Sequence, residues 1–159
     1  MNYSDAISNK NNIIQGEKYR FTVLTPRLIR MEYSETGEFE DRLTTLVINR
    51  KTDKVDLKLK ENKKYIEITT SYFRLTYQKN KPFYSGKIDT MKNLKVELLN
   101  TDRIWYYGHP EIRNYGAPSN SLDDSKGKLK LKKGLYSVDG FASINDSSDI
   151  VTEDFKIIK

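Results

Sequence analysis

An all-β fold, and within that class an antiparallel sandwich of two sheets, is what this sequence predicts, on three observations. Apolar and polar residues alternate with a period of two in several short runs, the pattern of half-buried strands. Residues 65–77 are dense in Ile, Thr, Phe and Tyr, which suit a pleated surface. No segment sustains the 3.6-residue period of an amphipathic helix.

Taken in order, residues 1–12 are polar, rich in Asn and Ser and without period, so a loose arm is expected there. One sandwich domain is expected over residues 13–159, a length at which a core needs no staples. Tyr19, Phe21 and Val23 alternate with Lys18, Arg20 and Thr22, and Pro26, which lacks a ladder donor, ends that strand at a corner. Ile29, Met31 and Tyr33 face one way in the next strand, and the acidic stretch Ser34 to Arg42 follows as a loop. Leu46 to Asn49 is a short apolar run expected to pair. Val55, Leu57 and Leu59 begin a hairpin whose polar turn is Glu61 to Lys64. Strands over Tyr65 to Thr70 and Tyr72 to Tyr77 come next, then a loop with Pro82 and Gly86, then a strand carrying Leu94, Val96 and Leu98. The closing TEDFKIIK stops without a winding-down composition, so this chain is expected to be the N-terminal part of a longer one.

Composition excludes several classes. The chain has no cysteine, which rules out disulfides, zinc-thiolate sites and thiol redox chemistry, and fits a reducing, cytoplasmic compartment. No apolar run of about 18 residues is present, and the N-terminus lacks the apolar centre of a signal peptide, so no membrane partner is expected. The net charge of +6 comes from lysines scattered among 22 acidic residues. Lys126, Lys128, Lys130 and Lys132 do share one strand face, but no aromatic interleaves them as a stacking platform. A protected sheet edge is preferred to a nucleic-acid site.

Three stretches, in order, carry a resemblance: RFTVLTPRLIRMEYSETGEFEDRLTTLVINR (Arg20 to Arg50), ITTSYFRLTYQKNKPF (Ile68 to Phe83), and NYGAPSNSLDDSKG with GLYSVDGFASINDSS (Asn114 to Ser148). Together they resemble the N-terminal domain of glycoside hydrolase family 31, the α-glucosidases and α-xylosidases. The departures fall in the last stretch. Tyr115 and Ala117 stand where the family has Leu and Gly, Val138 where it has Arg, Phe141 where it has Trp, and Asn145 where it has Asp.

The resemblance implies a galactose-mutarotase-like β-sandwich that packs on a catalytic β/α barrel of the same full-length protein and lends it a loop near the sugar pocket. A retaining glycosidase of this kind needs two carboxylates about 5 to 5.5 Å apart, which the family places on the barrel. The present chain is therefore expected to be non-catalytic, the full-length protein to be a retaining α-glycosidase acting on an α-linked oligosaccharide, and no cofactor or metal is implied. The alternative from the residues alone is a stand-alone carbohydrate-binding module. A third reading is a small basic barrel binding nucleic acid.

The candidate substrate-binding residues are Asp123, Asp139 and Trp105. Asp123 and Asp124 are adjacent, so on a strand they point to opposite faces, and an Asp-rich turn is the plainer reading of SLDDSKG. At the family-like position Asp123 would order the loop or accept from a sugar hydroxyl. Asp139-Gly140 is a two-residue hairpin signal between Leu135-Tyr136 and the run from Phe141 to Ile144, and Asp146 is read as a turn cap. Trp105 belongs to a cluster with Tyr106 and Tyr107 that is either core or a sugar-stacking surface. His109 has no second ligand for a metal and no nucleophile context.

Overall fold

The computed structural model describes residues 6–44, 46–83, 93–116, 126, 133–147 and 151–152. It is an all-β protein of antiparallel sheets arranged as a sandwich, with a 3-10 turn at Lys10–Asn12. A three-stranded sheet has the order β1 (Ile13–Gln15), β2 (Tyr19–Thr25), β3 (Leu28–Tyr33). β4 (Leu43–Thr44) pairs with β10 (Val151–Thr152). A five-stranded meander runs β5 (Lys58–Glu61), β6 (Tyr65–Thr69), β7 (Phe73–Gln78), β8 (Leu94–Leu98), β9 (Ile104–Tyr106), each strand beside its neighbour in sequence. The chain divides into two compact units, residues 1–108 with 146–159, and residues 109–145.

Register places the core of the first unit. Leu59, Ile68, Leu75, Val96 and Trp105 lie opposite one another across the meander, and the four after Leu59 are buried. Ile66, Tyr77 and Leu94 form the parallel row. Against these rows packs the inner face of β2, where the Phe21 ring meets the Tyr77 ring edge-on at 5.2 Å and Tyr19 meets it at 5.1 Å. Such edge-to-face contacts add to the burial of the rings themselves.

Local hydrogen bonds make the corners. The Asn62 side chain accepts from the backbone N–H of Lys64 and Tyr65, both at 2.8 Å, closing the β5–β6 turn. The Thr70 hydroxyl accepts from the N–H groups of Tyr72 and Phe73 and donates to the Pro26 carbonyl at 2.8 Å. One side chain thus ties the β6–β7 turn to the β2–β3 corner. At that corner the register slips between Val23 and Thr25, so Leu24 is an extra residue and can be buried beside Val23.

Three expectations are corrected. The arm does not begin loose where it is described: Asn12 is fully buried, donates to the Asp53 carbonyl at 2.8 Å and accepts from the Val55 N–H at 2.8 Å, while Ser8 donates to the Arg50 carbonyl. Leu46 to Asn49 is not a strand, because Thr44 and Val47 bond each other's backbone and leave Leu46 and Ile48 exposed. The run from Val55 is paired only from Lys58 onward.

Leu75 sits at the centre of the meander with no exposed surface, whereas Leu28 begins an edge strand and is exposed. Leu75→Ala is expected to lower unfolding free energy by about 2–5 kcal/mol, and Leu28→Ala by less than about 0.5 kcal/mol. Urea titration checks this, with a shifted midpoint and an unchanged slope marking a true stability loss.

Candidate functional site

The first motif-bearing stretch folds into a compact ionic cluster. Because Phe21 points into the core, its neighbour Arg20 points to the opposite face of β2, where pairing sets it directly across from Glu32 on β3. Arg20 grips Glu32 with two parallel bonds, from Nε at 2.7 Å and Nη2 at 2.9 Å, donates to Asp41 at 2.5 Å and also to the Glu40 carbonyl at 2.9 Å. Glu32 is also ion-paired with Arg30 at 3.0 Å. Burial alone would pull the pKa of Arg20 down, but the bonds and charges of Glu32 and Asp41 outweigh it and leave the group raised. Arg50, only 2% exposed, donates from Nη1 to the Arg42 carbonyl at 2.9 Å. Burial, together with the like charge of Arg30, lowers its pKa.

Trp105 lies in β9 of the first unit with its residue 7% exposed, opposite Val96 in the inward row of the meander. Its indole is core, and its ring N–H is buried without a hydrogen-bond partner. Tyr107, from the same aromatic run, is partly exposed and packs its ring 5.5 Å from Phe83. An open groove of about 950 Å³ runs elsewhere in this unit, along Leu24 to Pro26 and residues 51–56, and no aromatic ring lines it.

Asp139 belongs to the second unit, 7% exposed, with its carboxylate ion-paired to Arg113. The Asp139-Gly140 turn forms, with the Gly140 N–H donating to the Ser137 carbonyl at 3.2 Å, but no hairpin strands flank it. Ser137 instead pairs with Asn114, and Tyr115 donates to the Tyr136 carbonyl at 2.9 Å. The Asn114 side chain fastens the loop base, accepting from the N–H groups of Gly116 and Gly134 and donating to the Gly134 carbonyl. Glu111 is buried here and accepts from the Ser143 hydroxyl, and the His109 and Phe141 rings meet edge-on at 5.0 Å. Around this framework Ile112, Tyr115, Leu135, Tyr136, Val138 and Ile144 are exposed, Ile112 to 84% and Tyr136 to 77%.

Asp123, Asp124 and most of the lysine row lie outside the described residues. Among the described residues no group of three or more His, Cys, Asp or Glu is gathered to hold a metal ion, and no helix is long and apolar enough to cross a membrane. The arginine cluster was missed in the sequence because charged residues on a strand's second face read as solvated. The signal available was the density of charge, five arginines and five acids between Arg20 and Arg50.

Hydrogen bonds from Arg42 to both carboxylate oxygens hold the Glu40 pKa down to about 2 from 4.5. A carboxyl depressed on folding stabilises the native state above its unfolded value and loses that contribution as pH falls through the folded one. The stability of the chain is expected to fall between pH 4.5 and pH 2, and Arg42→Met to flatten that segment of the curve, read by chemical denaturation at stepped pH. Equal slopes in the two proteins would remove Glu40 as a contributor.

A scan against protein-family models gives no match to this chain, and a search of the curated proteins gives none either.

Proposed function

We propose that this chain is the N-terminal β-sandwich domain of a family 31 glycoside hydrolase, an α-glucosidase-like enzyme, and that it carries no catalytic carboxylate of its own. It braces the catalytic β/α barrel of the same protein and shapes the edge of a pocket for an α-linked oligosaccharide. The observation that carries this reading is the second unit, residues 109–145. Its backbone is fastened from within by Asn114 and the Arg113–Asp139 pair, yet six large apolar side chains face outward around them. A loop held rigid while presenting that much apolar surface is suited to being covered by another protein surface. This is also the stretch that, by resemblance, would reach the barrel.

Two residues take roles that fit. Asp139 orients Arg113 through their ion pair, so a contact to sugar at this turn would come from the guanidinium it positions. Trp105, committed to the core, favours bracing over the stand-alone carbohydrate-binding module, whose affinity would have rested on that indole. The absence of cysteine accords with a cytoplasmic enzyme.

Mass spectrometry of the endogenous protein, detected through peptides between Leu24 and Arg42, is expected to find a species several times heavier than 18.6 kDa. The isolated chain is expected neither to hydrolyse an aryl α-glucoside nor to bind maltose saturably. A native mass equal to that of this chain, with saturable sugar binding, would overturn the proposal in favour of the independent module.

A further inference from the structure

Three arginines, Arg20, Arg30 and Arg50, line one pocket of about 20 Å³ whose walls also include Ser8, Thr22 and Asp41. A space of that size holds a single particle about as large as a water molecule. Its donors are unevenly used. Arg20 spends its Nε and Nη2 on Glu32, but the same edge of Arg50, Nε and Nη2, is buried with no hydrogen-bond partner, and so is Nε of Arg30.

The neighbouring acids are already engaged. Glu32 is shared between Arg20 and Arg30, Asp41 accepts from Arg20, and the Glu40 carboxylate is held by Arg42. Asp146 acts on Arg50 through its charge without bonding either orphaned nitrogen. Arginine does not shed its proton under ordinary conditions, so the charge in the pocket persists. Buried donors of this kind are satisfied in native proteins by an acceptor.

We propose that this pocket is a binding site for a small inorganic anion of halide size, held by the unused edge of Arg50 together with Nε of Arg30. A water molecule has two lone pairs to offer three donors and brings no charge to the side of Arg50 that no carboxylate bonds. A monatomic anion accepts from all three and offsets the guanidinium charge. Phosphate and sulfate are too large for the space. The role implied is structural: the ion joins the β2–β3 sheet to the segment that carries Arg50, and binding to the native state alone raises stability by mass action.

The test is a comparison of the 159-residue chain in sodium chloride and sodium gluconate, each at about 0.2 M so that screening is equal. Chloride is expected to raise the thermal midpoint by about 3 °C or more, the shift of a site roughly tenfold saturated in a chain of this length. Chloride-35 nuclear resonance is expected to broaden saturably with added protein, bromide to reverse the broadening by competition, and Arg50→Met to reduce it at least tenfold. Arg27→Gln, at an exposed arginine stacked on Tyr72, is expected to leave it unchanged. Should Arg50→Met fail to fold, the two salts and the bromide competition decide on the unaltered protein. Equal midpoints without saturable broadening would overturn the proposal and assign the pocket to water, and broadening that survives in a folded Arg50→Met protein would overturn it by placing the anion elsewhere.

Discussion

Phe21 against Tyr77 is the contact on which the rest of the first unit depends. Both rings are fully buried, they meet edge to face, and they belong to the central strand of one sheet and the middle strand of the other. A phenol at that depth needs its oxygen satisfied. Tyr77 donates to the Lys81 carbonyl at 2.6 Å and accepts from the Lys81 N–H at 3.1 Å, so the ring enters the core with no unpaired hydroxyl. Phe83 then stacks beside Phe21 and closes the cluster.

Fixing Phe21 inward decides what happens on the other side of β2. Alternation sends Arg20 and Thr22 outward, and antiparallel register sets Glu32 opposite Arg20. In most sandwiches that outward face meets water, yet here Arg20 is 6% and Thr22 is 4% exposed. The segments that cover them bring their own polar groups: Asp41 and the Glu40 carbonyl bond Arg20, and Arg50 and Ser8 line the same pocket. Burying a guanidinium is tolerable only with such company, because an unpaired ion in a dry interior is far costlier than a paired one. The apolar contact on one face and the ionic cluster on the other are thus two consequences of one strand register.

What the sequence made legible follows from the length of its patterns. β2, β3, β6, β7 and β8 each hold five to seven residues, long enough for a two-residue period to show. β1, β4, β9 and β10 hold two or three, too few for any period, and β4 finds its partner more than a hundred residues later in β10. The Asp139-Gly140 turn was readable from its two residues, whereas the Arg113 that pairs with Asp139 lies 26 residues earlier and leaves no local trace. Trp105 was ambiguous by type, and its burial follows from its register opposite Val96. Asn12 read as part of a polar arm because its partners, the backbone groups of Asp53 and Val55, are 41 and 43 residues away.

The same physics bears on what a resemblance can carry. Its longest stretch, Arg20 to Arg50, contains the arginines and acids of the buried cluster, residues whose mutual bonding answers a folding requirement. Residues of that kind speak to the sandwich they hold together and not to a reaction. Four positions of the last stretch behave otherwise. Tyr115 and Val138 are exposed, and Phe141 and Asn145 lie in the same second unit, where the backbone is fastened by Asn114 whichever side chains the surface displays. A framework fixed from within can exchange its outward residues without loss of fold. Outward side chains therefore have room to change in the second unit, while the arginine cluster of the first has little.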